Sequence, residues 1–284
     1  EGADSMVFVN LWNPLPQITG GSHVDTLKEI ENVIGSDYND IIIGDLGNNL
    51  IDGGLGDDIL SGTMGSDIYK FRDGWGSDTV IDDIESLIDY IDGDVDIADY
   101  VQNGLAIASE WLSNVVDDVD ILEILDDAEE KSAENIPDTL DFSETTADLT
   151  ANIRGFGDVH VGYGANQTND ISEMEVLLTG AGSDKFIFGV NPLTGDPEFF
   201  NGKIDGGSVN YAKYPDALPD VNTLDYSAND KSIVVDLEAP EEGSPGEAQG
   251  TKGVFNIHNV IGGDGADTLK GSVGNNLLIG GKGD

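Results

Sequence analysis

The chain has 284 residues, of which 12 are Lys or Arg and 56 are Asp or Glu, for a formal charge of −44 at pH 7; it holds 38 Gly and no Cys. Such a charge repels phosphate backbones and anionic lipid, which argues against nucleic-acid binding and leaves cations as the natural partners. The lack of Cys excludes disulfides and thiolate metal sites, and no run of about 18 apolar residues offers membrane insertion. With 38% hydrophobic residues the chain can still bury a core, in one large domain or two ordinary ones. The opening stretch EGADSMVFVN lacks the basic and apolar regions of a signal peptide.

In chain order, a strand-like segment MVFVNL starts at Met6, and EIENVIGSDYND starts at Glu29. From Gly35 the chain reads GSDYNDIII, GDLGNNLID, GGLGDDILS and GTMGSDIYK, consecutive blocks of nine that begin at Gly35, Gly44, Gly53 and Gly62. A carboxylate or amide fills the sixth place of each block, at Asp40, Asn49, Asp58 and Asp67, and an apolar or aromatic residue fills the eighth, at Ile42, Ile51, Leu60 and Tyr69. Further glycines stand at Gly47, Gly54, Gly56 and Gly65, and a looser block, FRDGWGSDTVID, resumes the phase at Gly76, Asp78 and Val80.

Six glycine-rich residues make a turn, and three of the form x-apolar-x make a short strand whose middle side chain points inward. Two blocks then close one flattened coil, and coils stack at a strand spacing of roughly 4.8 Å, with like turns above one another. Stacked carboxylates repel unless a divalent cation sits between them, and carbonyls freed by glycine turns complete an oxygen cage. The expected bridged pairs are Asp40 with Asp58, Asn49 with Asp67, and Asp58 with Asp78. Oxygen donors without sulfur favour Ca²⁺ over Zn²⁺.

These blocks resemble the RTX, or haemolysin-type calcium-binding, nonapeptide family, whose pattern is G-G-x-G-x-D-x-U-x; GGLGDDILS from Gly53 fits every defined place. The resemblance implies a parallel β-roll with Ca²⁺ between its turns, in a protein exported by a type I system that folds on meeting Ca²⁺ outside the cell. Ser36 and Tyr38 depart from glycine, and Asn49 and Asn276 replace Asp, so sites containing these amides are expected to be weaker.

Next comes an insert of different composition, in which Ile84, Leu87, Ile88 and Ile91, and then Trp111, Leu112, Val115, Val116, Val119 and Leu122, recur at helical spacing. The pattern predicts acidic amphipathic helices. Within it DGDVDIAD from Asp92 is similar to the second half of an EF-hand or dockerin loop, but Ile88 and Tyr90 stand where the first oxygens belong, which favours a solvated acidic turn.

A longer repeat encloses the short one. DTLDFS from Asp138 precedes DLTANI and EMEVLLTGAGSD, which ends at Asp184; NTLDYS from Asn222 precedes SIVVDL and NIHNVIGGDGAD, which carries Gly262, Gly263, Gly265 and Asp267. GSVGNNLLI from Gly271 follows, with Asn276 at its sixth place, and then GGKGD. The repeat predicts LDFS or LDYS, an alternating strand, a variable loop, an apolar strand and a roll turn, with the chain a window on a longer array. The resulting reading is mainly β: a parallel β-roll or β-solenoid with flanking strands and an acidic α-helical insert. Its parts are a partial first unit with the roll (1–82), the insert (83–137), a second unit with a degenerate turn (138–219) and a third unit with a truncated roll (220–284).

The seventh-place residues Ile41, Leu50, Ile59 and Ile68, joined by Ile43, form an apolar stripe. Cover from the insert or a neighbouring strand is expected, with an intermolecular partner surface as the alternative. His23, His160 and His258 lack metal-site spacing, no GxSxG elbow or phosphate loop is present, and Asp196-Pro197 reads as a turn. Trp12, Trp75 and Trp111 read as packing residues, and EAPEEGSPGEAQG from Glu238 as a mobile surface loop. The reading is therefore a non-enzymatic, calcium-binding segment of a secreted or cell-surface bacterial protein of adhesin or surface-layer type. Its partners are calcium ions, neighbouring repeats of a longer chain and a cell-surface or self-assembly partner. The alternative is a secretion and folding region attached to an enzyme or toxin elsewhere in the parent chain.

Overall fold

A nonapeptide that spends six residues on a turn has three left for a strand, and three-residue strands are what the blocks form. They are β3 (Ile41–Ile43), β4 (Leu50–Asp52), β5 (Ile59–Ser61) and β6 (Ile68–Lys70). The computed structural model describes residues 5–13, 15–17, 19–20, 24–82, 137–155, 158–164, 166–169, 174–208, 219–239, 241 and 243–283. The expected helical insert and its EF-hand-like stretch lie outside the described residues, which contain strands and turns and no helix. Contacts divide the chain into two units, Glu1–Ile68 with Ile81–Ile136, and Tyr69–Val80 with Pro137–Asp284.

In the first unit β1 (Phe8–Asn10), β3 and β5 form one parallel sheet, while β2 (Asn32–Ile34) and β4 form a second. Consecutive strands therefore alternate between sheets, and pairings such as Ile41 with Ile59 and Asn32 with Leu50 repeat every two blocks. The eighth-place residues Ile42, Ile51 and Leu60, each in the middle of its strand, are fully buried, each contributing about 1.5–3 kcal/mol of apolar burial. The apolar stripe is not continuously exposed: Ile59 and the ninth-place Ile43 are buried, Ile41 and Leu50 are half-buried and Ile68 is exposed.

The second unit keeps the parallel architecture but interrupts it. Its larger sheet contains β7 (Ser77–Val80), β9 (Thr150–Gly155), β13 (Lys185–Phe188), β15 (Thr223–Asp225), β19 (Asn259–Ile261) and β21 (Leu277–Ile279). Between β7 and β9 lie β11 (Asn166–Asn169) and β10 (Asp158–Tyr163), the latter antiparallel to both β9 and β11. Part of the expected variable loop is thus a hairpin extension of the sheet. The second sheet runs through β8 (Thr139–Asp141), β12 (Val176–Leu178), β14 (Lys203–Asp205) and β18 (Gly253–Phe255), all parallel. A small third sheet joins β16 (Val234–Asp236) to β20 (Thr268–Lys270) and to β17 (Glu247–Ala248). The Glu-rich stretch is therefore a strand at its C-terminal end rather than a loop throughout.

The LDFS and LDYS motifs have a common physical meaning. Asp141 and Asp225 end strands, and their Oδ1 atoms accept the N–H of Ser143 (2.9 Å) and Ser227 (2.8 Å), a side-chain-closed turn. The next residue turns inward and stacks: Phe142 on Phe71 at 4.3 Å between ring centroids and 10°, Tyr226 on Phe188 at 4.3 Å and 11°. Trp75 meets Phe142 edge-on at 5.2 Å, and the Tyr226 hydroxyl donates to the Gln249 carbonyl at 2.7 Å. The longer repeat also shows in the backbone, since Glu29 and Asn256, three residues before Asn32 and Asn259, both take a left-handed φ of 54°.

Phe142→Ala removes the stack and the Trp75 edge contact from a fully buried position. It is expected to cost about 3–5 kcal/mol, read as a lower denaturant midpoint. Tyr226→Phe loses only the hydroxyl bond and is expected to cost about 1 kcal/mol.

Candidate metal centre

Because coils in the first unit repeat every two blocks, sixth-place side chains stand over one another. The Oδ1 of Asp58 accepts the backbone N–H of Asp40 (2.7 Å), and the Oδ1 of Asp67 accepts that of Asn49 (2.7 Å). The ladder continues at its start, where Asp40 Oδ1 accepts the N–H of Val7 (2.7 Å) and the Ser36 hydroxyl (2.8 Å). One oxygen of each carboxylate therefore fixes register, which leaves the other facing the turn.

That second oxygen is cradled by the first glycine of its own block. A Cβ at Gly53 would collide with Asp58 Oδ2, one at Gly62 with Asp67 Oδ2, and one at Gly35 would stand 2.5 Å from Asp40 Oδ2. Carbonyls close the same space from the next coil: Gly53 O faces Gly35, and Gly62 O lies 2.7 Å from the Cβ position of Gly44, which also faces Asn49 Oδ1. Gly54 and Gly56 approach the carbonyls of Ser36 and Tyr38, and Gly65 that of Gly47, with φ of 101°, 125° and 121° at the first three, so no side chain suits these turns. Gly47 itself donates to Asp45 Oδ1 at 2.8 Å. The expected Asp40–Asp58 and Asn49–Asp67 stacking is present.

The second unit distributes the other candidates. Asp78 is buried in β7, in register with Thr168 of β11, a strand without the nonapeptide pattern; Gly76 before it has φ 96°. Asp267 accepts the N–H of Ile233 (3.0 Å) and of Gly263 (2.9 Å), and Gly262 cradles its Oδ2. Gly263 and Gly265 approach the carbonyls of Asn229 and Lys231, so this turn stacks on the stretch after LDYS. Asn276 turns Oδ1 toward Gly271 and donates Nδ2 to the His258 carbonyl at 2.8 Å.

Asp184 gives the sharpest test of whether a cation suits these turns. It is buried, its Oδ1 accepts the Leu149 N–H (2.8 Å), and its buried Oδ2 has no hydrogen-bond partner among the described residues. The Thr179 hydroxyl stands nearby but donates to the Asp205 carbonyl at 3.3 Å. An orphaned carboxylate oxygen inside a turn is costly unless a proton or a cation meets it. Burial pushes the Asp184 carboxyl up to about 6, helped by Asp220 and Asp148 and opposed by the Leu149 N–H and Thr179. Burial likewise pushes Asp58 up to about 7, with Asp40, Asp57 and Asp52 adding repulsion against the Asp40 N–H, and raises Asp40. Oxygen-only cradles, buried carboxylates and converging carbonyls fit Ca²⁺, which would be held by the sixth-place side chains and turn carbonyls.

Two positions escaped the sequence pattern. A Cβ on Gly206 would lie 2.5 Å from Asn222 Nδ2, so the two stand to one another as a first and a sixth place although they are not nine-residue neighbours in sequence. The NTLDYS alignment marked the strand but not this role. His258 then takes the ladder position below, its Nδ1 accepting the Asn222 N–H at 3.2 Å. Asp196-Pro197 is a turn as expected: Pro197 forms a bridge with Val190, and Asp196 pairs with Lys231 at 2.8 Å.

Stacked parallel turns with carboxylate-and-carbonyl cradles define a calcium-binding β-roll. A family model described as RTX calcium-binding nonapeptide repeat matches in four copies, at residues 34–69 and 260–284, about a fifth of the chain. The chain thus carries RTX repeats, which bind calcium ions and have a structural role typical of secreted proteins. No curated protein matches the chain.

Two outcomes follow from this geometry. Gly53→Ala places a methyl group against Asp58 Oδ2, so fewer bound ions per chain are expected by calorimetric titration, with the fold retained at high Ca²⁺. Burial pushes the metal-free Asp58 carboxyl up to about 7, so protons compete with the ion and apparent Ca²⁺ affinity should fall from about pH 8 to about pH 6. In chelator the sign reverses. A carboxyl raised above its unfolded value of 3.8 stabilises the fold at low pH and loses that contribution as pH rises through about 7, so the chelated melting temperature should decline across that window.

Proposed function

We propose that the chain is a calcium-binding structural segment of a secreted or cell-surface bacterial protein, of adhesin or surface-layer type, that folds on meeting Ca²⁺ outside the cell. The supporting observation is the ladder in which Asp58 and Asp67 spend one buried carboxylate oxygen on the coil before and turn the other into a glycine cradle. Asp40, Asn49, Asp58 and Asp67 with the glycines of their turns, Asp267 and Asn276 with theirs, and Asp78 and Asp184 are the proposed ligand-bearing positions. The long repeat is the proposed building unit, with 138–219 and 220–284 as successive copies.

In low Ca²⁺ the stacked carboxylates oppose coil closure, and Ca²⁺ supplies positive charge between them. Binding to the native turns alone then stabilises the fold by mass action. Acidic turns and a formal charge of −44 keep the chain expanded where Ca²⁺ is scarce, which suits passage through an export channel before folding.

Circular dichroism and thermal unfolding with and without chelator test this reading. Strand signal and melting temperature should be much lower in chelator than in Ca²⁺, and an identical melt in chelator would remove the folding switch. Asp58→Ala should raise the half-saturating Ca²⁺ concentration on the order of tenfold, whereas Asp230→Ala, at an exposed position, should leave it unchanged.

A further inference from the structure

Asn49, Asn276 and Asn222 each stand at the sixth place of a turn, and they do not point the same atom at its first glycine. Asn49 and Asn276 present Oδ1 to Gly44 and Gly271, as the aspartates present a carboxylate oxygen. Asn222 presents Nδ2 to Gly206. This orientation is imposed from the coil before. The backbone N–H of Asp184 donates to Asn222 Oδ1 at 2.8 Å, and an amide NH₂ placed there would meet that N–H donor to donor. The NH₂ must therefore face the turn, where its two hydrogens reach the carbonyls of Gly206 (2.6 Å) and Asn256 (2.9 Å).

We infer that the Asn222 amide takes the place of a cation: its two N–H···O bonds join the carbonyls of Gly206 and Asn256, so the place beside Gly206 needs no Ca²⁺ and is kept from binding it by this one side chain. The surroundings agree. Asn222 is fully buried, both NH₂ hydrogens are spent on carbonyls, and the next ladder position is the His258 imidazole, whose Nδ1 accepts the Asn222 N–H at 3.2 Å. Two carbonyls and a neutral amide satisfy one another, whereas two carbonyls and a carboxylate would all be acceptors and would require a cation. The node lies in the ladder directly after Asp184 and before the matched repeats of residues 260–284, so this stretch holds its register while neighbouring turns are still empty. The inference rests on the calcium reading for those neighbouring turns.

The test compares the full chain with Asn222→Asp and Asn222→Ala, counting bound Ca²⁺ by equilibrium dialysis and melting each protein in chelator and in saturating Ca²⁺. Asn222→Asp should bind one ion more than wild type, melt lower than wild type in chelator and regain the difference in Ca²⁺. Asn222→Ala should keep the wild-type ion count and melt lower by the same amount in both conditions. The inference is overturned if Asn222→Ala loses an ion, which would make Asn222 a ligand, or if folded Asn222→Asp gains none. Should Asn222→Asp fail to fold even in Ca²⁺, the Asn222→Ala count and its two melts decide. If wild type binds no Ca²⁺, the calcium reading fails by itself; the chelator melt of Asn222→Ala then still decides whether the amide closes the turn, and an unchanged melt overturns that.

Discussion

When coils of two nonapeptides stack, whatever occupies one place of a turn is repeated one strand spacing away. No rotamer choice lets a sixth-place carboxylate escape its neighbour, because both oxygens lie inside the turn. The register of Ile41 with Ile59 and Ile42 with Leu60 makes this a property of the backbone, and Asp40 and Asp58 inherit it. Like charges held at about 5 Å in a partly dry turn repel by several kcal/mol. The remaining features of the turn answer that repulsion: the N–H of the coil before takes one oxygen, a first-place glycine leaves room beside the other, and carbonyls converge on the space between.

The same constraint is met by different chemistry along the chain. At Asp58 the proposed answer is a cation, and burial makes the carboxyl reluctant to ionise without one. At Asn222 an amide supplies the hydrogens that a cation would otherwise replace, and at His258 an imidazole nitrogen takes over the acceptor role. At the other end of the strands the stacked pairs are aromatic, Phe71 with Phe142 and Phe188 with Tyr226, where close stacking is favourable. Lys185 pairs with the ring-bearing motif's Asp225, so even the acidic residue of LDYS is neutralised locally. Calcium dependence is thus a property of particular turns, set by one atom at each sixth place.

Much of this was legible because the nonapeptide is local. Gly53, Asp58 and Leu60 lie within eight residues, and a turn followed by an inward apolar side chain follows from their spacing alone. The burial of Ile42, Ile51 and Leu60, the stacking of Asp40 with Asp58, and the strands at Phe8, Thr150 and Val234 were all readable on that ground. The hairpin of β10 and β11 was not, because Val159 and Val161 pair antiparallel only after β9 provides an edge. Nor was β17, since Ala248 sits in a Glu- and Pro-rich stretch whose composition resembles a loop and whose strand exists only against Val235.

By itself, the sequence determined the period, the inward and outward places, the oxygen-only donor set and the acidity on which the proposed coupling of folding to a cation rests. These depend on residues a few positions apart, where chain geometry admits few alternatives. Which coil lies on which, and so which atom each sixth-place side chain turns inward, was decided by the tertiary structure. Asn49 and Asn222 are the same residue type at the same place, yet one offers oxygen and the other nitrogen. The difference is the N–H of Asp184, brought over Asn222 from 38 residues away, and only the stacked fold puts that donor there.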